Sequence, residues 1–169
     1  MSDPEEDDWE RLRYSKLCFR KKLRSHIEKQ PTSEMRRHRR LDQFTGQNLV
    51  NGTSVWCTNP CDPLEEHSVV IAVTGDDDVT SFSVASITEK VEMCVEEVAT
   101  DGTVGEMLVT WGHYGFRAAC AAPKGCKPSD YTPISISTET KAKMFKVSVR
   151  HRNEGSNYCS GVAIFDIFN

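Results

Sequence analysis

No stretch of this chain approaches the roughly 20 consecutive apolar residues of a membrane-spanning helix, so no membrane partner is expected. Residues 1–8, MSDPEEDD, lack the basic start and apolar centre of an export signal. The expected location is therefore the nucleus or cytoplasm, and secretion is not expected. An even cysteine count is missing too: there are seven, Cys18, Cys57, Cys61, Cys94, Cys120, Cys126 and Cys159. An odd number without an export route reads as reduced thiols, not a disulfide framework. By the same logic Asn51-Gly52-Thr53, which fits a glycosylation acceptor, carries no functional weight.

The chain also lacks a recognisable reaction centre. No turn sequence of the nucleophile-elbow kind surrounds a Ser or Cys. His113, Cys120 and Asp130 are residue types of a thiol-nucleophile site, but nothing in the sequence fixes their geometry. Cys57 and Cys61 with His67, and Cys120 with Cys126, do not have the spacing of a zinc knuckle. Asp76-Asp77-Asp78 lacks the spacing of an EF-hand loop and reads as a polar hairpin turn. No catalytic residue, metal or cofactor is therefore assigned, and the expectation is a protein that is not an enzyme.

What is present in excess is positive charge in one place. Between Arg11 and Arg40 lie 12 of the 21 Lys and Arg residues against two acids, Glu28 and Glu34, for a local charge of +10 in a chain of net charge −4. Residues 1–10 hold six acids and no base, and residues 41–169 sum to −8. Such separation describes a polyanion-binding segment on a body that would not bind a polyanion by itself. The candidate nucleic-acid-binding residues are Arg11, Arg13, Lys16, Arg20, Lys21, Lys22, Arg24, Lys29, Arg36, Arg37, Arg39 and Arg40. Arg pairs with phosphate in bidentate fashion, Lys supplies point charge, and counterion release makes such binding independent of sequence. The clusters at residues 20–24 and 36–40 are also spaced like a bipartite nuclear-import signal. The acids Asp3, Glu5, Glu6, Asp7 and Asp8 are candidates for masking the basic block.

Residues 1–8 have no apolar periodicity and are expected to be disordered. Trp9, Leu12, Leu17, Phe19, Leu23 and Ile27 recur at roughly helical spacing, which predicts a basic helical arm over residues 9–44, with its main helix from about Asp8 to Lys29 and a break at Pro31. Residues 45–53 read as a linker into a β domain at residues 54–169. There β-branched residues and a period of two predict strands Ser54–Thr58, Ser68–Gly75, Val79–Ile87, Lys90–Ala99, Gly105–His113, Tyr114–Ala121, Pro133–Thr138, Met144–Arg152 and Cys159–Phe168. The best hairpin joins Val91 to Trp111 through Asp101-Gly102. A helical stripe of Ile87, Val91, Cys94, Val95 and Val98 competes with it, and the β-branched content favours strand. The fold class expected is mainly β: an antiparallel β-sandwich or jelly-roll-like domain preceded by a basic helical arm.

An Arg-rich N-terminal arm followed by about eight short strands and the terminal run Ser160 to Phe168 resembles the coat proteins of the smallest icosahedral viruses. That resemblance implies a jelly-roll shell domain and an arm directed at packaged nucleic acid. The functional expectation is a structural or interaction protein, of viral type, that binds RNA or DNA through the arm. Its β domain would self-associate as a homo-oligomer or bind a protein partner. The alternative is a nuclear host-interaction module whose basic segment serves import.

Overall fold

The computed structural model describes residues 21–29, 46–52, 54–57, 66–88, 91–117, 127–151 and 161–169. Their strands are β1 (Ser25–Lys29), β2 (Trp56–Cys57), β3 (His67–Val73), β4 (Val79–Ser86), β5 (Val91–Val98), β6 (Val104–Gly112), β7 (Phe116–Arg117), β8 (Tyr131–Thr132), β9 (Ile134–Thr140), β10 (Met144–His151) and β11 (Gly161–Phe168). They build a five-stranded sheet in the order β1-β3-β10-β5-β6 and a four-stranded sheet in the order β2-β11-β4-β9, with β7 and β8 as a separate pair. Every pairing is antiparallel. The two larger sheets enclose one apolar core, and the architecture is an antiparallel β-sandwich.

Period-two alternation decides which side chains enter that core. Val69, Ile71 and Val73 of β3, Val91, Met93 and Val95 of β5, and Phe145, Val147 and Val149 of β10 face Phe82 and Val84 of β4 and Phe165 and Ile167 of β11. Phe82 joins the layers. Its ring meets Phe145 edge-on at 5.1 Å and 78°, and stacks on Phe165 at 5.4 Å and 24°. Tyr131 is buried with its hydroxyl donating to the Ile87 carbonyl at 2.9 Å, so its one polar atom is satisfied.

The predicted strand order is largely what forms, and β5 is a strand and not the competing helix. The hairpin turn between β5 and β6 holds Gly102 at φ +91, while the Asp101 carboxylate accepts from the Thr103 amide at 2.9 Å. Gly115, at φ +78, is more constrained. A Cβ there would lie 2.9 Å from Ala85 Cβ and 2.9 Å from the Thr132 carbonyl oxygen. Gly115→Ala combines left-handed backbone strain with overpacking, and is expected to cost about 2–4 kcal/mol in urea unfolding.

Two expectations are corrected. The main helix predicted to reach Lys29 does not extend through residues 21–29, which are extended, with β1 as their regular part. Leu23 donates its amide to the Ile167 carbonyl at 2.8 Å, and Asn169 donates to the Lys21 carbonyl at 2.9 Å; Ser25 to Lys29 then pair with β3. Nine residues thus bind first one sheet and then the other, and this tertiary pairing overrides a helical preference that is a weak prior. Leu23 is buried and Ile27 packs on the core, two positions that suit alternation as well as a helix. The predicted linker at residues 45–53 contains a short helix, α1 (Gln47–Asn51). Leu49 is buried, and Asn48 donates to the Val55 carbonyl at 2.9 Å, so α1 closes the sandwich beside β1, β2 and β11. The rest of the predicted arm, at residues 1–20 and 30–44, lies outside the described residues.

Candidate binding surfaces

The β3–β4 loop, the β9–β10 turn and the end of β11 converge at one end of the sandwich, where the basic segment enters. Lys21 Nζ lies 3.3 Å from an Asp77 carboxylate oxygen and Lys22 Nζ lies 3.0 Å from Asp166. Arg24 is exposed, and its carbonyl accepts from the Thr74 amide at 2.7 Å. A cleft of about 270 Å³ runs along this root, lined by Lys22, Arg24, Leu49, Val50 and Asp166 among others. Lys29 sits exposed at the far end of β1. These four are the sequence-predicted cationic residues that the structure describes. Arg11, Arg13, Lys16, Arg20, Arg36, Arg37, Arg39 and Arg40 lie outside the described residues, as does the acidic leader.

The aspartate run behaves as a lysine-bound turn. Lys141 Nζ donates to Asp78 at 3.1 Å, Lys143 Nζ is 3.8 Å from the same carboxylate and also reaches the Asp76 and Asp77 carbonyls, and Asn169 donates to the Asp78 carbonyl at 2.8 Å. The hydrogen bond and charge of Lys141, joined by Lys143, hold the Asp78 carboxyl below its ordinary value. Lysine ammonium groups occupy the places a cation would take. Among the described residues no group of three His, Cys, Asp or Glu side chains is arranged to hold a metal.

Of the residue types of a thiol centre, His113 and Asp130 are described. His113 is half-buried after β6. Asp130 caps a short 3-10 turn by accepting from the Lys127 amide at 2.8 Å, and Cys120 lies outside the described residues. Cys57 is placed in β2 and His67 is buried at the start of β3, while Cys61 and Cys126 lie outside the described residues. Cys94 is an unbridged thiol with no exposed surface on β5. Burial first, and the nearby Glu96 charge second, push its thiol up to about 12. At neutral pH it is neutral and shielded, the opposite of an activated nucleophile. Two outcomes follow. An alkylating reagent at about pH 8 should leave Cys94 unmodified until denaturant is added. Because the unfolded thiol ionises near 9.0, the folded state holds more protons between that pH and about 12. Its contribution to stability is full below pH 9 and declines through that window, a slope that Cys94→Ala should remove from alkaline unfolding curves.

A second surface lies on the five-stranded sheet near β6. The Arg150 guanidinium sits 4.0 Å from the centroid of the Trp111 ring, and its Nε and Nη2 each reach Glu92 Oε2 at 3.0 Å. The carboxylate fixes the guanidinium over the indole, giving a preorganised aromatic and arginine pair of the kind that anchors protein interfaces. Further along β6, Val104 and Met107 are exposed at 43% and 38%. They adjoin a shallow groove of about 410 Å³, lined by Val98, Ala99, Thr103, Gly105, Ala142 and Met144 among others. The sequence placed Trp111 and Met107 in a strand; in the structure Trp111 is half-buried and Met107 exposed on β6, the edge strand of its sheet.

No family model matches the chain, and no curated protein matches it. Solved structures do. CBM32-3, from a family 31 glycoside hydrolase of Clostridium perfringens, aligns with a TM-score of 0.61 at 15% identity, covering 92% of this chain and 97% of that one. Reduced XRCC1, in a crystal structure with the DNA polymerase beta catalytic domain, aligns with a TM-score of 0.58 at 13% identity, covering 87% and 97%. CpGH89CBM32-5 of the same Clostridium species, solved with GalNAc-β-1,3-galactose, aligns with a TM-score of 0.57 at 13% identity, covering 88% and 100%. These three are not coat proteins, and of the viral resemblance only the β-sandwich layout stands. At such identities the shared property is the fold itself: this chain is an antiparallel β-sandwich of the shape that carries these carbohydrate-binding modules and the XRCC1 domain.

Proposed function

We propose that this chain is a non-enzymatic binding protein. Its basic segment engages nucleic acid as a polyanion, without regard to sequence, while its sandwich body engages protein. The observation that carries the reading is the charge of +10 over residues 11–40, rooted on the folded body through β1. Lys21 and Lys22 project ammonium groups that are 70% and 53% exposed by side chain, and their carboxylate partners are also solvent-accessible. Surface pairs of this kind are worth about 0–1 kcal/mol, so phosphates can replace Asp77 and Asp166 at small cost. For the body, the Trp111–Arg150 pair and the XRCC1 structure with a polymerase domain both support a protein partner.

The import alternative fits less well at residues 20–24, because Leu23 is buried and its amide is bonded to β11, which removes part of that cluster from an extended, accessible strand. Cutting the chain at residue 41 would delete β1 and disturb the five-stranded sheet, so the test uses the full chain. Its affinity for a DNA duplex is measured over a salt series. Steep loss of affinity with salt is the expected result; absence of binding at low salt would overturn the nucleic-acid half of the reading.

A further inference from the structure

An antiparallel sheet that buries one face in a core leaves the other to water, and that second face is ordinarily polar. The four-stranded sheet follows the rule: on its outer side Ser83 of β4 stands opposite Asp166 of β11. The five-stranded sheet departs from it. Across β3, β10, β5 and β6, Ala72, Met144, Val98 and Val104 stand opposite one another in one row, and Val70, Lys146, Glu96 and Met107 in the next. Ile71, Phe145 and Val95, which alternate with them along the strands, enter the core, so both rows face outward.

Apart from Lys146 and Glu96 these side chains are apolar. Val70, Ala72 and Val98 are nearly closed off, but Val104 and Met107 stand 43% and 38% exposed, and Met144 is half-buried beside the groove of about 410 Å³. Contiguous apolar surface of this kind marks a contact site. Lys146 and Glu96 select its occupant. They lie directly opposite each other, yet among the described residues neither is engaged in an ion pair, so an ammonium group and a carboxylate remain for a partner. The positive charge is on β10 and the negative charge on β5, an arrangement that is its own complement.

We infer that this outer face packs against the same face of a second copy of this chain, about a two-fold axis that runs along the strands between β10 and β5. That rotation sets Lys146 over Glu96 of the second copy and Glu96 over its Lys146. In the same register Met144 meets Val98 of the second copy, Val104 meets Ala72, and Met107 meets Val70. The two charge pairs fix the register, and the exposed apolar side chains leave water. A two-fold interface requires such self-complementarity, because the same patch serves both sides. Two short rows fall well below the roughly 20–30 residues a side of a standard interface, so the dimer is weak and forms at micromolar concentrations or above.

The inference rests on the reading of the body as a protein binder and names its partner. It is tested by light scattering and sedimentation of the full chain from about 10 μM to about 1 mM, a range that brackets a weak dimer. The wild type should pass from monomer to dimer. Lys146→Glu sets carboxylate against carboxylate twice across the axis, and should raise the concentration needed for dimerisation by about tenfold or more. Glu96→Lys should do the same, and an equimolar mixture of the two variants should restore dimers, because each then meets its opposite charge. Both substitutions in one chain keep opposite charges across β10 and β5 and should dimerise as the wild type does. Met107→Asp probes the apolar part separately and should also weaken the dimer. Circular dichroism of each variant verifies the fold. A dimer that survives Lys146→Glu and Met107→Asp would overturn this face as its seat, while the protein-binding reading stands. Folded variants whose mixture stays monomeric would overturn the Lys146 to Glu96 register. A wild type that is monomeric over the whole range would overturn the inference and leave the protein-binding reading without the partner named for it.

Discussion

Replacing Arg36, Arg37, Arg39 and Arg40 with Gln in the full chain is expected to lower its affinity for a DNA duplex by about 10³-fold or more at about 0.1 M salt, because each neutralised phosphate contributes about 0.9 to the slope of log affinity against log salt. The slope should fall by about 3.6 when all four guanidiniums are removed. Random and defined duplex sequences should lose affinity in parallel, since phosphate contacts carry no base information. Two controls distinguish this from a structural effect. The urea midpoint should hold, because the core identified above is built from Leu23, α1 and the sheets. Asp77→Asn with Asp166→Asn, which frees Lys21 and Lys22 from their partners, should move binding in the opposite direction. If the four-Gln variant retained both affinity and slope, the cluster at residues 36–40 would have no part in binding a polyanion.

Phe82→Ala is expected to cost about 4 kcal/mol, the upper range for removing a buried aromatic ring. Phe82 has no exposed surface and lies against Phe145 of the opposite sheet and Phe165 of its own. Its removal therefore leaves a void between layers, where both walls are held by strand pairing and cannot collapse far. Urea unfolding should show a lower midpoint with an unchanged m-value; Phe82→Leu, which fills part of the void, should recover a substantial share. A loss below about 1 kcal/mol would mean that the two sheets close around the gap, contrary to a rigid interlayer contact.

Most of the β domain was legible in the sequence because a sheet buried on one face records its register every second residue. Phe145, Val147 and Val149 against Lys146, Ser148 and Arg150 is such a record, and β10 follows it. The Asp101-Gly102 turn was equally local, since a positive φ and an aspartate accepting from the amide two residues on are properties of four consecutive residues. Residues 21–29 were not legible. Leu23 and Ile27 stand four apart, a separation compatible with one helical face and with one strand face, and only the partners β11 and β3 decide between them. The helix α1 is too short to leave a periodic signal and is held by Leu49 and Asn48 against distant strands.

For the candidate surfaces the division is sharper. By itself the sequence determined that positive charge is concentrated at residues 11–40, that the rest of the chain is acidic, and that alternating β-branched segments must bury one face; these are properties of composition and spacing. Only the tertiary structure decided that Lys21 faces Asp77, that Lys141 and Lys143 bind the aspartate turn, and that Arg150 lies over Trp111. The physical reason is separation along the chain: Lys21 and Asp77 are 56 residues apart, and Arg150 and Glu92 are 58 apart. Local propensity carries no information about which distant segments meet; packing of the two sheets around a shared core supplies it.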